Sequence, residues 1–221
     1  MLNVNKEIFS FEDAVAVSRT AQRSVLLLRH SYRESLAQGN YDPGLTQAGW
    51  DYAVACGKFL KGMENVTFVS SSRKRTLETL KALICGAELE NGEIPHLAQL
   101  HDTALFEKPE NLGISIEEGT LPALLKEYYA TGNAPGMRPV QEFVPELLGA
   151  LTAPRPRPNV ICCTHDIIAV ALLNFYKVYD FTPSDWCGYV QGAFLYLQDE
   201  KWQIAYIVPD KSARPQTGLF V

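Results

Sequence analysis

The 221-residue sequence has no excess of basic residues. Its 25 Asp and Glu residues outnumber its 20 Lys and Arg residues, which gives a net charge of -5. A protein that binds nucleic acid or an anionic membrane surface ordinarily presents an excess of positive charge. The composition therefore predicts no nucleic-acid partner and no membrane partner. A small anionic ligand needs only a few local cations and stays compatible with this balance.

The sequence also lacks long apolar runs and a regular cysteine framework. Charged side chains are spread over residues 1–23, where a signal peptide would be continuously apolar. Apolar runs such as residues 25–28 are too short to span a bilayer. The five cysteines are odd in number, and adjacent Cys162 and Cys163 would point to opposite faces of a strand. We therefore expect a cytoplasmic protein with reduced, buried thiols.

The pattern of apolar segments predicts one α/β domain over residues 1–221. Apolar residues make up 47% of the chain, as in an ordinary globular protein. Strands are predicted at residues 25–28, 66–69 and 159–163, with a terminal hairpin at 193–197 and 202–208. Helices are predicted at residues 10–22, 46–62, from 70–72 onwards, and 167–176. This rhythm predicts a three-layer α/β/α sandwich with a mostly parallel sheet.

Residues from about 101 to 151 interrupt the alternation. Two helices are predicted there, at residues 121–130 and 140–151, with no strand between them. We interpret this segment as a helical cap inserted over the sheet. The proline-rich stretch 153–158 then leads as a stiff connector into the strand at 159–163.

Three of the predicted strands end in polar clusters. Arg29 and His30 follow the first strand, His165 and Asp166 follow the strand at 159–163, and the segment 70–75 contains three serines and two arginines. Ligand sites of open parallel sheets lie at the carboxyl ends of the strands. Guanidinium groups bind phosphate oxygens, an unprotonated imidazole can attack phosphorus, and a carboxylic acid can protonate a departing alkoxide. These residue types together predict phosphate-ester chemistry.

Four segments in order resemble the motifs of the histidine phosphatase, or phosphoglycerate mutase-like, superfamily. They are Leu-Arg-His-Ser-Tyr-Arg at 28–33, Asp-Pro-Gly-Leu-Thr-Gln-Ala-Gly at 42–49, Ser-Ser-Ser-Arg-Lys-Arg-Thr-Leu-Glu-Thr at 70–79, and Thr-His-Asp at 164–166. The resemblance implies a phosphoglycerate mutase-like fold and His30 as the phosphate-accepting nucleophile. It also implies a phosphate pocket formed by Arg29, Arg33, Arg75 and His165.

Several assignments stay open at this stage. Ser31 stands where the family usually has Gly, and Arg73 is either a pocket residue or a surface cation. Asp166 matches the acid of the acid-phosphatase branch and is the favoured proton donor. Asp102 and Glu107 are the alternatives, because the mutase-like branch takes its acid from the insertion.

The remaining histidines carry no predicted chemistry. His101 is expected to be structural, and His96 is given no role. The sequence has no Walker A loop and no cysteine with an arginine six positions later. Cys162, Cys163 and His165 lie too close along one strand end for a convincing zinc site.

The resemblance predicts a phosphomonoester hydrolase that acts on a small phosphorylated substrate, with no cofactor and no metal. A mutase that returns the phosphoryl group to its substrate is the alternative. An inactive phosphate-binding scaffold is a third. The sequence identifies neither the substrate nor the oligomeric state.

Overall fold

The computed structural model describes residues 2–35, 42–90, 92–182 and 185–212. The strands in these ranges are β1 (Asn3–Ser10), β2 (Arg23–Arg29), β3 (Val66–Ser70), β4 (Asn159–Thr164), β5 (Gly192–Gln198) and β6 (Lys201–Val208). The α-helices are α1 (Phe11–Ser18), α2 (Gln47–Gly57), α3 (Lys74–Ala87), α4 (Glu110–Glu117), α5 (Leu121–Thr131), α6 (Val140–Thr152) and α7 (Asp166–Phe175). Short 3₁₀ helices occupy Lys58–Leu60, Ala98–Leu100 and Asp102–Leu105.

The six strands form one sheet in the order β1-β6-β5-β2-β4-β3. β4 pairs in parallel with both β2 and β3, and β1 pairs in parallel with β6. Among these strands, only β5 is antiparallel to both of its neighbours, β2 and β6. The predicted hairpin is the β5–β6 pair. The predicted α/β fold with a mostly parallel sheet is confirmed.

Alternate residues of the central strands pack against helices on opposite faces of the sheet. Leu27 and Cys162 belong to a core cluster with side chains of α5, α6 and α7. Leu26 and Cys163 belong to a second cluster with α1, α2 and α3. These four side chains are fully buried. Strands buried on both faces require continuous apolar runs, and the helices on both sides complete the three layers.

The amino-terminal segment differs from its prediction in two ways. Ser10 and Asp13 form the predicted capping box, but α1 ends at Ser18 rather than near residue 22. The preceding strand β1 was not predicted, because most of its residues are exposed or half-buried and show no apolar alternation. Its main-chain pairing with β6 places it at the edge of the sheet.

The segment between α3 and β4 contains the two predicted helices, α5 and α6, with nearly the predicted bounds. It also contains α4, which was not predicted because its apolar residues are interrupted by Gly113 and flanked by acidic residues. Phe143 and Leu147 of α6 are fully buried in the core shared with α7. The single domain over 1–221 with a cap at about 101–151 stays a prediction. No described helix meets the length and apolarity needed to cross a membrane.

Candidate active site

The two predicted catalytic histidines follow neighbouring strands. Arg29 is paired with Thr164 in the β2–β4 register, so the next residue of each strand reaches the same sheet edge. The backbone N–H of His30 donates to the Thr164 carbonyl at 3.0 Å. The rings of His30 and His165 consequently lie with their centroids 5.5 Å apart. The tertiary structure brings together two histidines that are 135 positions apart in the chain.

The ring of His30 is buried, and one of its two nitrogens forms a hydrogen bond within the protein. Nδ1 lies 2.7 Å from the carbonyl oxygen of Ser31. A carbonyl only accepts hydrogen bonds, so Nδ1 carries the proton and Nε2 keeps its lone pair. Burial lowers the pKa of His30 well below its ordinary value, and the positive charges around it add to that effect. The imidazole is therefore neutral at pH 7, with a nucleophilic nitrogen.

The tautomer of His165 is set by the opposite arrangement. The Nη2 of Arg75 lies 3.2 Å from Nδ1, and a guanidinium only donates, so Nδ1 accepts. The proton is then on Nε2, which lies 3.1 Å from Oγ of Ser71. Burial lowers the pKa of His165 to about 3, although Asp102 opposes the shift. His165 is thus a neutral hydrogen-bond donor.

Asp102 joins two arginines beside His165. Its carboxylate accepts from Nη2 of Arg75 at 2.8 Å and from Nη2 of Arg73 at 3.0 Å. Burial alone would raise the pKa of Asp102, but the hydrogen bond from His101 and the nearby positive charges hold it well below its usual range. Asp102 is a carboxylate in this arrangement. Nε and Nη1 of Arg75 are buried without a hydrogen-bond partner, and Nη1 lies 3.7 Å from Oδ1 of Asp42.

Asp166 makes a similar ion pair on the other side of the site. Its Oδ2 lies 3.2 Å from Nη2 of Arg29 and accepts from Nε1 of Trp186 at 3.2 Å. Asp166 is also the first residue of α7. The Arg29 guanidinium donates to the Cys187 carbonyl at 2.7 Å and lies 4.2 Å from the centroid of the Tyr189 ring. These contacts fix the position of Arg29.

A cavity of about 280 Å³ is lined by all six residues that the sequence selected: Arg29, His30, Arg33, Arg75, His165 and Asp166. Asp102 also lines this cavity, and so does Arg73, which the sequence left between pocket and surface. Glu107 lines a different depression and is exposed. The site residues are therefore assembled in one place, while their catalytic roles stay predictions.

Other lining residues were missed by the sequence reasoning. Pro109, Leu112, Gly113 and Ile116 belong to α4 or its approach, and Leu121 begins α5. The missed helix α4 explains this omission, because no local pattern indicated that these residues face a site. His101 directly precedes the 3₁₀ helix Asp102–Leu105 and lies outside the 280 Å³ cavity, with its Nδ1 2.9 Å from Oδ1 of Asp102. Its structural role stays a prediction.

Ser31 is accommodated without a special backbone conformation. It is absent from the residues with positive φ in the described chain. Its N–H donates to Oγ1 of Thr79 at 2.9 Å, and its hydroxyl donates to the Gly49 carbonyl at 2.7 Å. The hydroxyl is therefore committed to α2 rather than directed at a ligand. Compared with the usual glycine at this position, Ser31 adds one buried hydrogen bond from its side chain.

Within the described ranges, no group of three or more His, Cys, Asp and Glu residues is arranged to hold a metal ion. The expectation of chemistry without a metal or cofactor stays a prediction. All five cysteines are free thiols, and Cys162 and Cys163 lie on opposite faces of the sheet as expected.

The fold is similar to those of several solved phosphate-ester enzymes. A phosphoserine phosphatase mutant from Entamoeba histolytica, in complex with phosphoserine, superposes with a TM-score of 0.59 at 17% identity, over 86% of this chain and 99% of that chain. A phosphoglycerate mutase from Bacillus anthracis gives 0.58 at 18% identity, over 85% and 93%. A mycobacterial glucosyl-3-phosphoglycerate phosphatase gives 0.55 at 19% identity, over 84% and 98%. These structures define the class as a phosphoglycerate mutase-like α/β fold.

The family follows from the sequence match. The model of the histidine phosphatase superfamily (branch 1) matches residues 25–181, which is more than half of the chain. The protein belongs to this superfamily, as its motifs predicted. The comparison with curated proteins found no match.

Proposed function

We propose that the protein is a phosphomonoester hydrolase in which His30 accepts the phosphoryl group. The observation that carries this proposal is the buried, neutral His30 ring, whose Nδ1 is bound to a carbonyl and whose Nε2 is unprotonated. Arg29, Arg33 and Arg75 line the same cavity and supply positive charge for the phosphate oxygens. His165 is proposed to donate its Nε2 proton to a phosphoryl oxygen in place of Oγ of Ser71.

The proposed reaction has two steps. In the first, the lone pair on Nε2 of His30 forms a bond to phosphorus as the ester P–O bond breaks, and the leaving oxygen takes a proton from a carboxylic acid. In the second, water attacks the phosphohistidine, the P–N bond breaks, and the carboxylate recovers a proton from that water. Inorganic phosphate leaves, and both side chains return to their initial forms.

The proton donor is proposed to be Asp166. Two carboxylates line the cavity near the histidines, and they differ in the number of guanidinium groups that they contact. Asp102 binds two guanidinium groups, which oppose its protonation, whereas Asp166 pairs with one guanidinium and one neutral indole N–H. Asp102 is the second candidate, because release of its arginines to a bound phosphate would make its protonation easier.

An acid-quench experiment with labelled substrate tests the nucleophile. The native protein should form an acid-labile, base-stable phosphohistidine, and His30→Ala should form none. His101→Ala is the matched control, since this histidine lies close to His165 but outside the cavity, and it should retain the label. Label that persists in His30→Ala and disappears in His165→Ala would reverse the two histidine roles.

The acid is tested by comparing leaving groups. Asp166→Asn should slow hydrolysis of an alkyl phosphate at least tenfold more than hydrolysis of p-nitrophenyl phosphate, whose leaving group departs as an anion. Asp102→Asn should affect both substrates to a similar extent. The opposite pattern would assign the acid to Asp102.

Hydrolase and mutase differ in the fate of the phosphohistidine. Release of inorganic phosphate from phosphomonoesters supports the hydrolase, whereas isomerisation of 3-phosphoglycerate supports the alternative mutase. Absence of both label and turnover would indicate an inactive phosphate-binding protein.

We also propose that catalysis needs no metal, so activity should survive an excess of chelator. The five free thiols support the proposal that the protein is cytoplasmic.

A further inference from the structure

The cavity is lined by two chemically different sets of side chains. The cationic set contains His30, His165 and the guanidinium groups described above. The apolar set, which we call the apolar wall, comes from α4, the start of α5 and the first turn of α7: Pro109, Leu112, Ile116, Leu121 and Ile167. Because α5 contacts both α4 and α7, an alcohol whose phosphate is bound by the cationic set would find these apolar side chains grouped together.

The charges in the lining leave room for one anionic group. The lining contains four arginines, at 29, 33, 73 and 75, and three acids, at 102, 110 and 166. With both imidazoles neutral, four positive and three negative charges leave a net charge of +1 (4 - 3). A phosphate dianion more than neutralises this surplus, so a second anion would add repulsion.

The position of the charges is as important as their sum. Glu110, an exposed residue at the start of α4, lies on the same helix as Leu112 and Ile116 of the apolar wall. The four arginines of the described lining lie outside α4, α5 and α7. A carboxylate or second phosphate placed against these helices would therefore meet apolar side chains and Glu110, with no lining cation from the same helices to pair with.

We infer that the substrates are phosphate monoesters of an apolar aryl or alkyl alcohol that carries no second anionic group. This inference rests on the proposed hydrolase function and assigns a substrate class to the same site. Each methylene buried against the apolar wall contributes about 0.8 kcal/mol, or about a fourfold change in affinity. The preference should therefore grow along an alkyl series until the cavity is filled.

A matched pair of substrates tests this inference. Phenyl phosphate and 4-carboxyphenyl phosphate differ by one carboxylate, and the carboxyphenyl ester has the better leaving group. Because the intrinsic chemistry favours the carboxyphenyl ester, a preference for phenyl phosphate must come from the site. We expect kcat/KM to be at least tenfold higher for phenyl phosphate.

Two lysine substitutions in α4 distinguish the effect of the apolar wall from a general effect of added positive charge. Ile116 lines the cavity and is 36% exposed, whereas Ile114 is 47% exposed and lies outside the lining. Ile116→Lys should lower kcat/KM for phenyl phosphate and raise it for the carboxyphenyl ester. Ile114→Lys should change neither by more than about twofold.

The possible results distinguish this inference from the function on which it rests. Equal kcat/KM for both esters in the native protein, or an unchanged ratio in Ile116→Lys, would overturn the apolar substrate class while hydrolysis itself stands. Failure to hydrolyse any ester, including p-nitrophenyl phosphate, would overturn the proposed hydrolase. A higher kcat/KM for the carboxyphenyl ester would indicate that a cation reaches the alcohol.

Discussion

Asp102→Asn is the most informative single substitution, because it changes the charge of the site without removing a phosphate ligand. Asp102 is buried and bound to Arg73 and Arg75, so its removal takes the nearest carboxylate from both guanidinium groups, while Arg75 keeps a longer contact with Asp42 at 3.7 Å. Removing one partner of a buried ion pair costs about 3 to 5 kcal/mol. Asparagine keeps one oxygen acceptor, so we expect a loss of about 3 kcal/mol in the free energy of unfolding.

The same substitution should strengthen phosphate binding. Unit charges 4 Å apart interact by about 4 kcal/mol at an effective dielectric constant of 20, and the Asp102 carboxylate repels a dianion bound by Arg75. Part of this gain is lost because the arginines are held less firmly. We therefore expect inorganic phosphate to bind about tenfold more tightly, and phosphate should recover part of the lost stability.

Urea denaturation at pH 7, with and without phosphate, measures the change in the free energy of unfolding. Titration calorimetry measures the affinity for inorganic phosphate. Glu142→Gln is the control for the loss of one negative charge, since Glu142 is exposed and lies outside the cavity. Unchanged stability together with weaker phosphate binding in Asp102→Asn would refute this account of the charge balance.

Two further predictions concern pH and packing. The pKa of His165 is lower in the folded protein than in the unfolded chain, so the unfolded chain binds more protons below pH 6.5 and stability falls as the pH decreases. Denaturation at pH 7 and 5 should show a loss of about 2 kcal/mol from this group, absent in His165→Gln. Gly49→Ala should lower stability by more than about 2 kcal/mol, because its Cβ would lie 2.0 Å from the Tyr32 carbonyl oxygen. Gly113→Ala, which meets no atom within 4 Å, should be neutral or slightly stabilising in thermal melts. A flat pH response, or equal melting temperatures for the two glycine variants, would contradict these arguments.

The fold class could be predicted because its main signals are local. The central strands are buried on both faces, and this environment requires the continuous apolar runs at residues 25–28 and 159–163. The polar clusters directly after them marked the carboxyl ends of the strands. The edge strand β1 and the helix α4 carry no such pattern, because neither is enclosed by the core on all sides. They were missed for this reason.

The sequence by itself also selected the residues of the candidate site, since His30 and His165 each follow a strand and match the motifs of the superfamily. Only the tertiary structure decided the tautomers and protonation states of these two histidines. A carbonyl beside one ring and a guanidinium beside the other assign opposite tautomers, and burial keeps both rings neutral. The pairing of Asp102 with two arginines and the apolar wall of α4 likewise depend on contacts between distant segments. Such contacts are set by packing and by charge compensation inside the fold, and no local pattern records them.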